Sequence, residues 1–138
     1  GVQTCALPIC RICLQWGLGG AVALALVFAL TGPGIIDLMT TSPEVRAAAR
    51  TWLPWLVLAP VVGAAAWVYD GIFIGALLTA DMAKAMLGSV LVYVLALAVL
   101  VPLAGNHGLW ASLMVLNAVR TLTMWRLYPK VAAQAGVG

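Results

Sequence analysis

Charge is what this chain has least of. Only 8% of its 138 residues are Asp, Glu, Lys or Arg, where an average soluble domain carries about 25%. That shortage excludes an ordinary soluble domain. It equally excludes a disordered chain, which needs low hydrophobicity and high charge. Seven Lys/Arg against four Asp/Glu leave a net charge of +3, and the bases are scattered, so there is no footprint for nucleic acid. Cysteine occurs three times and histidine once, as His107. Cys10 and Cys13 make a lone C-x-x-C with no second ligand pair and no βαβ context. They read as two small apolar residues at a helix start rather than a redox or metal pair. His107 reads as an ordinary residue of an exposed loop. There is no G-x-S-x-G, Walker loop, H-E-x-x-H or pair of carboxylates, and Ser42, Ser89 and Ser112 have no His or Asp nearby in sequence. The expectation is a protein that is no enzyme and needs no cofactor or metal.

What the chain has instead is apolar length. Hydrophobic residues make up 64% and the mean hydropathy is +1.11, the composition of a polytopic membrane protein whose first partner is the lipid bilayer. Spanning the hydrocarbon takes about 20 apolar residues in a helix, and four stretches qualify: about residues 14–36, 51–78, 82–101 and 109–128. The expected fold is all-α, with four transmembrane helices in an antiparallel array. Thr31-Gly32-Pro33-Gly34 is expected to kink or end the first. The second has a clear start in Thr41-Ser42-Pro43-Glu44, with Ser42 as N-cap, Pro43 at the first helical position and Glu44 at the positive end of the dipole. Thr41 and Glu44 also fit a capping box. Pro54 and Pro60 lie inside it. The third stops near Pro102, and residues 104–108 are a short loop. Residues 130–138 read as a frayed cytoplasmic tail. Residues 1–9, Cys5 among them, resemble the conceptual translation of a sequencing adapter. They are expected to be an artefact joined to a truncated frame, leaving 10–129 as the transmembrane segment. With the N-terminus inside, Arg11, Lys84, Arg126 and Lys130 are cytoplasmic and Arg46 and Arg50 outside, the orientation that basic-residue asymmetry favours.

An ionisable side chain within a span costs several kcal/mol unless paired or wet, and is a functional candidate for that reason. Asp70 and Arg120 qualify. Both lie about 10 Å from the cytoplasmic ends of their helices at 1.5 Å per residue, so they can pair between the second and fourth spans. Asp70 then either lines a pathway and binds a cation or proton, or joins helices structurally, while Arg120 either pairs or snorkels. Gly63, Trp67 and Asp70 share one helical face, which reads as a cavity wall for an organic cation or as a helix seam. Gly71 and Gly75 form a G-x-x-x-G, expected to pack against another helix, as is Gly63. Asn117, Arg120, Thr121 and Met124 make an inward stripe on the fourth span. Asp70, Trp67, Asn117 and Arg120 are the candidate cavity or gating residues.

From Thr41 to Pro129 the chain resembles the last helices of a multidrug and toxic compound extrusion (MATE) transporter, in its DNA-damage-inducible protein F-like branch. Three segments carry the resemblance. One is Ser42-Pro43-Glu44-Val45-Arg46-Ala47-Ala48-Ala49 with Trp52-Leu53-Pro54-Trp55. The most specific is Tyr69-Asp70-Gly71-Ile72-Phe73-Ile74-Gly75-Ala76, followed by Asp81-Met82 and Ala85-Met86. The third is Gly105-Asn106-His107-Gly108-Leu109-Trp110 with Arg120 beyond. The resemblance implies a C-terminal fragment: helices nine to twelve of a twelve-helix, two-lobed transporter. It implies secondary active export of organic, often cationic, compounds in exchange for protons or sodium, in a bacterial inner membrane with both ends cytoplasmic. The N-terminal lobe and the first helices of the C-terminal lobe are then missing partners, and the fragment is not expected to transport alone. The chain departs from the pattern at Leu77-Leu78, where the branch often has Thr-Arg, and at Ala83-Lys84, where it often has Arg-Asn. Two other readings stand beside it: an autonomous four-helix membrane protein acting as an assembly or regulatory subunit, and a lipid-linked precursor flippase, which usually has more bases in its cavity than Arg120 alone.

Overall fold

The punctuation of the sequence cuts the chain into four helices. The computed structural model describes residues 6–134: α1 (Ala6–Met39), α2 (Pro43–Gly75), α3 (Thr79–Ala104) and α4 (Asn106–Gln134). No strand occurs among the described residues. Residues 1–5 and 135–138, which hold most of the suspected artefact and the end of the tail, lie outside them. The helix starts at Ala6, so the end of the suspected artefact continues the helical run instead of standing apart from it.

Pro43 breaks α1 from α2. The residue before a proline is pushed out of the helical region, and Ser42 is extended at φ −73°, ψ 121°. The expected side-chain cap is not made. The Ser42 amide instead donates to Thr40 Oγ1 at 3.3 Å. Arg46 does the capping, from the other side of the break. Its Nε donates to the Thr40 carbonyl at 2.7 Å and its Nη2 to the Asp37 carbonyl at 2.8 Å, so the orphan carbonyls at the end of α1 are satisfied by a cation. The Asp37 carboxylate in turn takes Arg50 Nη2 at 2.8 Å.

Gly32-Pro33-Gly34 does not end α1, which runs on to Met39. Gly32 is buried where α2 crosses: a Cβ there would stand 2.7 Å from Leu53 Cδ1. The glycine serves close approach of two helices rather than a stop. At the α2–α3 turn the Leu77 amide donates to Ile74 O and the Leu78 amide to Phe73 O, both at 3.0 Å. Leu77 sits at φ +58°, a left-handed position that usually takes glycine. The expected five-residue loop between the last two helices shrinks to Gly105 alone, at φ 56°, ψ −129°, a conformation open to glycine and little else. α3 ends two residues beyond Pro102, and α4 passes through Pro129 to Gln134.

The helices pack as two hairpins. α1 lies along α2, α3 along α4, and α2 along α4, with only slight contact between α2 and α3. The row is therefore α1–α2–α4–α3. Its main core lies between α2, α3 and α4, where Tyr69, Phe73, Ala85, Met124 and Val131 are buried. Elsewhere large apolar side chains face outward, among them Leu30, Leu38, Leu87, Leu91 and Leu95. In water such a surface would aggregate; against lipid it is matched. α1, α2 and α3 are long and apolar enough to cross a membrane. The fourth expected span is the least apolar of the four helices. α4 has the length, at 29 residues, but Asn117, Arg120, Thr121, Thr123 and Arg126 interrupt its apolar run.

Candidate functional site

Two charged residues, scarce as a class in this chain, meet. Asp70, five residues before the end of α2, and Arg120, in the middle of α4, form an ion pair with Nη2 to Oδ1 at 2.7 Å. Their side chains are 23% and 18% exposed. The matched depths explain the meeting, because α2 and α4 lie side by side. Arg120 Nη1 also points at Met86 Sδ of α3, 2.7 Å away. Thioether sulfur is a weak acceptor, so this contact satisfies little of the guanidinium. Arg120 Nε and Thr121 Oγ1 are buried with no partner among the described residues. The site thus joins three helices through one guanidinium and has hydrogen-bonding capacity in reserve. Any cation or proton taken up by Asp70 must compete with Arg120 for the same carboxylate.

The other candidates lie apart from this pair. Asn117 donates from Nδ2 to the Leu113 carbonyl of its own helix at 3.0 Å. Trp67 is 60% exposed. It folds back over Gly63, where a Cβ would come 3.0 Å from the indole ring, and lines a shallow groove with Gly17, Ala21 and Leu24 of α1. The stripe of Gly63, Trp67 and Asp70 therefore does not line one cavity. The G-x-x-x-G meets none of the other described helices. Gly71 and Gly75 are exposed, with nothing within 4 Å of a Cβ built at either. Close approach is used elsewhere: Gly17 meets Val68, Gly32 meets Leu53, and Gly108 meets the Leu100 carbonyl.

Sequence reasoning missed two further contacts. Met86 lies seven residues past the start of α3, near the depth of Asp70, five residues before the end of α2, and that depth was the available signal. His107 is no lone loop residue. It lies in the first turn of α4, packs tilted at 46° against Trp52 with ring centroids 4.6 Å apart, and its Nδ1 accepts from Trp55 Nε1 at 3.0 Å. Cys10 and Cys13 are free thiols, and no group of three metal-ligating side chains occurs among the described residues. The buried hydroxyls of Ser89 and Ser112 donate to carbonyls four residues back in their own helices.

No family model matches the chain, and no solved structure is significantly similar to it. Among characterised proteins it is 37% identical over 117 residues to DNA damage-inducible protein F of Escherichia coli (strain K12). The match takes in 83% of this chain and 25% of that protein. The chain thus spans about a quarter of the length of its relative, whose name is a MATE-family name.

Proposed function

We propose that the chain is the C-terminal part of a secondary active MATE-type efflux antiporter that exchanges organic, often cationic, compounds for protons or sodium. The observation that carries this reading is the Asp70–Arg120 pair at 2.7 Å, set between two helices in an otherwise apolar array. An ion pair in such surroundings costs desolvation that a structural role alone repays poorly. In an antiporter it has a use. With Arg120 in place the carboxylate is neutralised. A proton, a sodium ion or a cationic compound that claims Asp70 releases Arg120 and loosens α2 from α4 at that level. Such a pair is a two-position element for alternating access, in which repeats rock about a central site. The similarity to DNA damage-inducible protein F supports the reading.

In this account the membrane is a bacterial inner membrane and both ends of the chain are cytoplasmic. The Arg46–Arg50–Asp37 clamp lies on the outer side. Transport requires the N-terminal lobe and the first helices of the C-terminal lobe, and the four helices here supply part of one lobe.

Asp70→Asn in the full-length protein tests the role. Resistance of an efflux-deficient strain to organic cations should fall to near that of the empty vector, with the amount of protein in the membrane unchanged. Undiminished resistance at normal membrane levels sinks the assignment. The second reading, a subunit that docks on a partner, draws on the open face at Gly71 and Gly75; co-purification of a stoichiometric membrane partner would favour it.

A further inference from the structure

Between α1 and α2 runs an open groove of about 320 Å³, lined by Phe28, Ile36, Met39, Trp52, Leu56 and Trp110, with almost no polar surface. Its α1 wall extends from Phe28 to Met39, 11 residues or about 16 Å at 1.5 Å per residue. That is close to half of the about 30 Å hydrocarbon thickness of a bilayer, so the groove is as deep as one leaflet. Its Met39 end is next to the Arg46–Arg50–Asp37 clamp.

The clamp is not neutral. Two guanidiniums share the Asp37 carboxylate, Arg50 Nη2 at 2.8 Å and Arg46 Nε at 3.6 Å. Arg46 is committed to the end of α1 through Thr40 and Asp37. Arg50 is half exposed and engages Asp37 through Nη2 alone. Its Nη1 and Nε are left as separate single donors, either of which can reach one phosphate oxygen. Glu44, the nearest other acid, is two residues from Arg46 and therefore on the far side of α2.

We infer that this groove holds one acyl chain of an anionic phospholipid, with its phosphate on Arg50. A groove of leaflet depth, apolar throughout and closed at one end by a net positive charge, matches a phospholipid in both charge and length. Trp52 and Trp110 supply the amphipathic rings that favour this level of the membrane. The inference rests on the membrane reading of the helices, and does not depend on what the protein transports.

Native mass spectrometry of the full chain, released from non-ionic detergent after incubation with phosphatidylglycerol or phosphatidylcholine, reads the site directly. Phosphatidylglycerol should be retained at least about fivefold more than phosphatidylcholine. Arg50→Gln should bring the two lipids level. Ala49 lies on the α2 wall of the groove, and Ala49→Phe, which fills it and leaves the clamp intact, should reduce retention of both. Circular dichroism checks that each variant keeps its helices, and the wild-type comparison stands whichever variant folds. Equal retention of the two lipids by the wild type overturns the inference. So does a groove closed by a second copy, seen as a lipid-free dimer, or unchanged retention in Ala49→Phe.

Discussion

Replacing Arg120 by methionine lowers the stability of the helical array by about 3 kcal/mol. Removing one member of a buried pair strands the other, at a cost of about 3–5 kcal/mol. The low end applies because both side chains remain about a fifth exposed. Methionine keeps the length of the stem and the contact with Met86, so the loss reports the charge rather than a cavity. The stranded carboxylate then adapts by taking up a proton, which limits the damage. Asp70→Asn in the same background should therefore recover most of the loss, because a neutral amide does not need the guanidinium. A double-mutant cycle, read by unfolding in mixed detergent micelles, should give a coupling above about 1 kcal/mol, as expected of groups in direct contact. Additive effects would mean that the two residues do not meet.

The second large effect is at Gly108. A Cβ there falls on the Leu100 carbonyl and within 2.9 Å of the Val101 amide. These are backbone atoms of the neighbouring helix, which cannot rotate aside as a side chain can. Gly108→Ala forces α3 and α4 apart at the one-residue turn, and should cost about 2–3 kcal/mol, the upper part of the usual range for overpacking because the clash is with backbone. Gly88 is the control. It lies in the middle of α3, exposed, with nothing within 4 Å of an added methyl. The same change there should be neutral or stabilise by up to about 1 kcal/mol through helix propensity. The two variants contain identical chemistry and differ only in what stands beyond the methyl, so thermal unfolding of the pair separates packing from propensity. Equal effects at both positions would contradict the close approach at Gly108.

These two sites show where reading a sequence succeeds and where it stops. Asp70 and Arg120 are legible as partners because charge is scarce and depth in a helix can be counted at about 1.5 Å per residue. Helix type and approximate extent are legible too, since apolar length dictates them. Glycine function is not. G-x-x-x-G at Gly71 and Gly75 has the familiar spacing, yet it faces open surface, while Gly17, Gly32 and Gly108 carry the close contacts without any motif. Spacing along one helix cannot say which side the next helix will take. His107 escapes for the same reason. Its partners, Trp52 and Trp55, lie more than fifty residues earlier, and only the packing of α4 on α2 brings them together. Arg46 is legible as a base near a helix start, but its task is to cap the preceding helix across the Pro43 break. Trp67 shares a helical face with Asp70, and it turns outward because Gly63 leaves room for its ring to lie back along α2.

The central claim is that these helices belong to a cation-coupled antiporter. The most direct measurement uses full-length protein in proteoliposomes, with an ion gradient imposed and a fluorescent reporter of that gradient inside. Addition of an organic cation should dissipate either a proton or a sodium gradient in the wild type, and neither gradient in Asp70→Asn. A wild-type protein that leaves both gradients untouched while binding the compound would contradict the account.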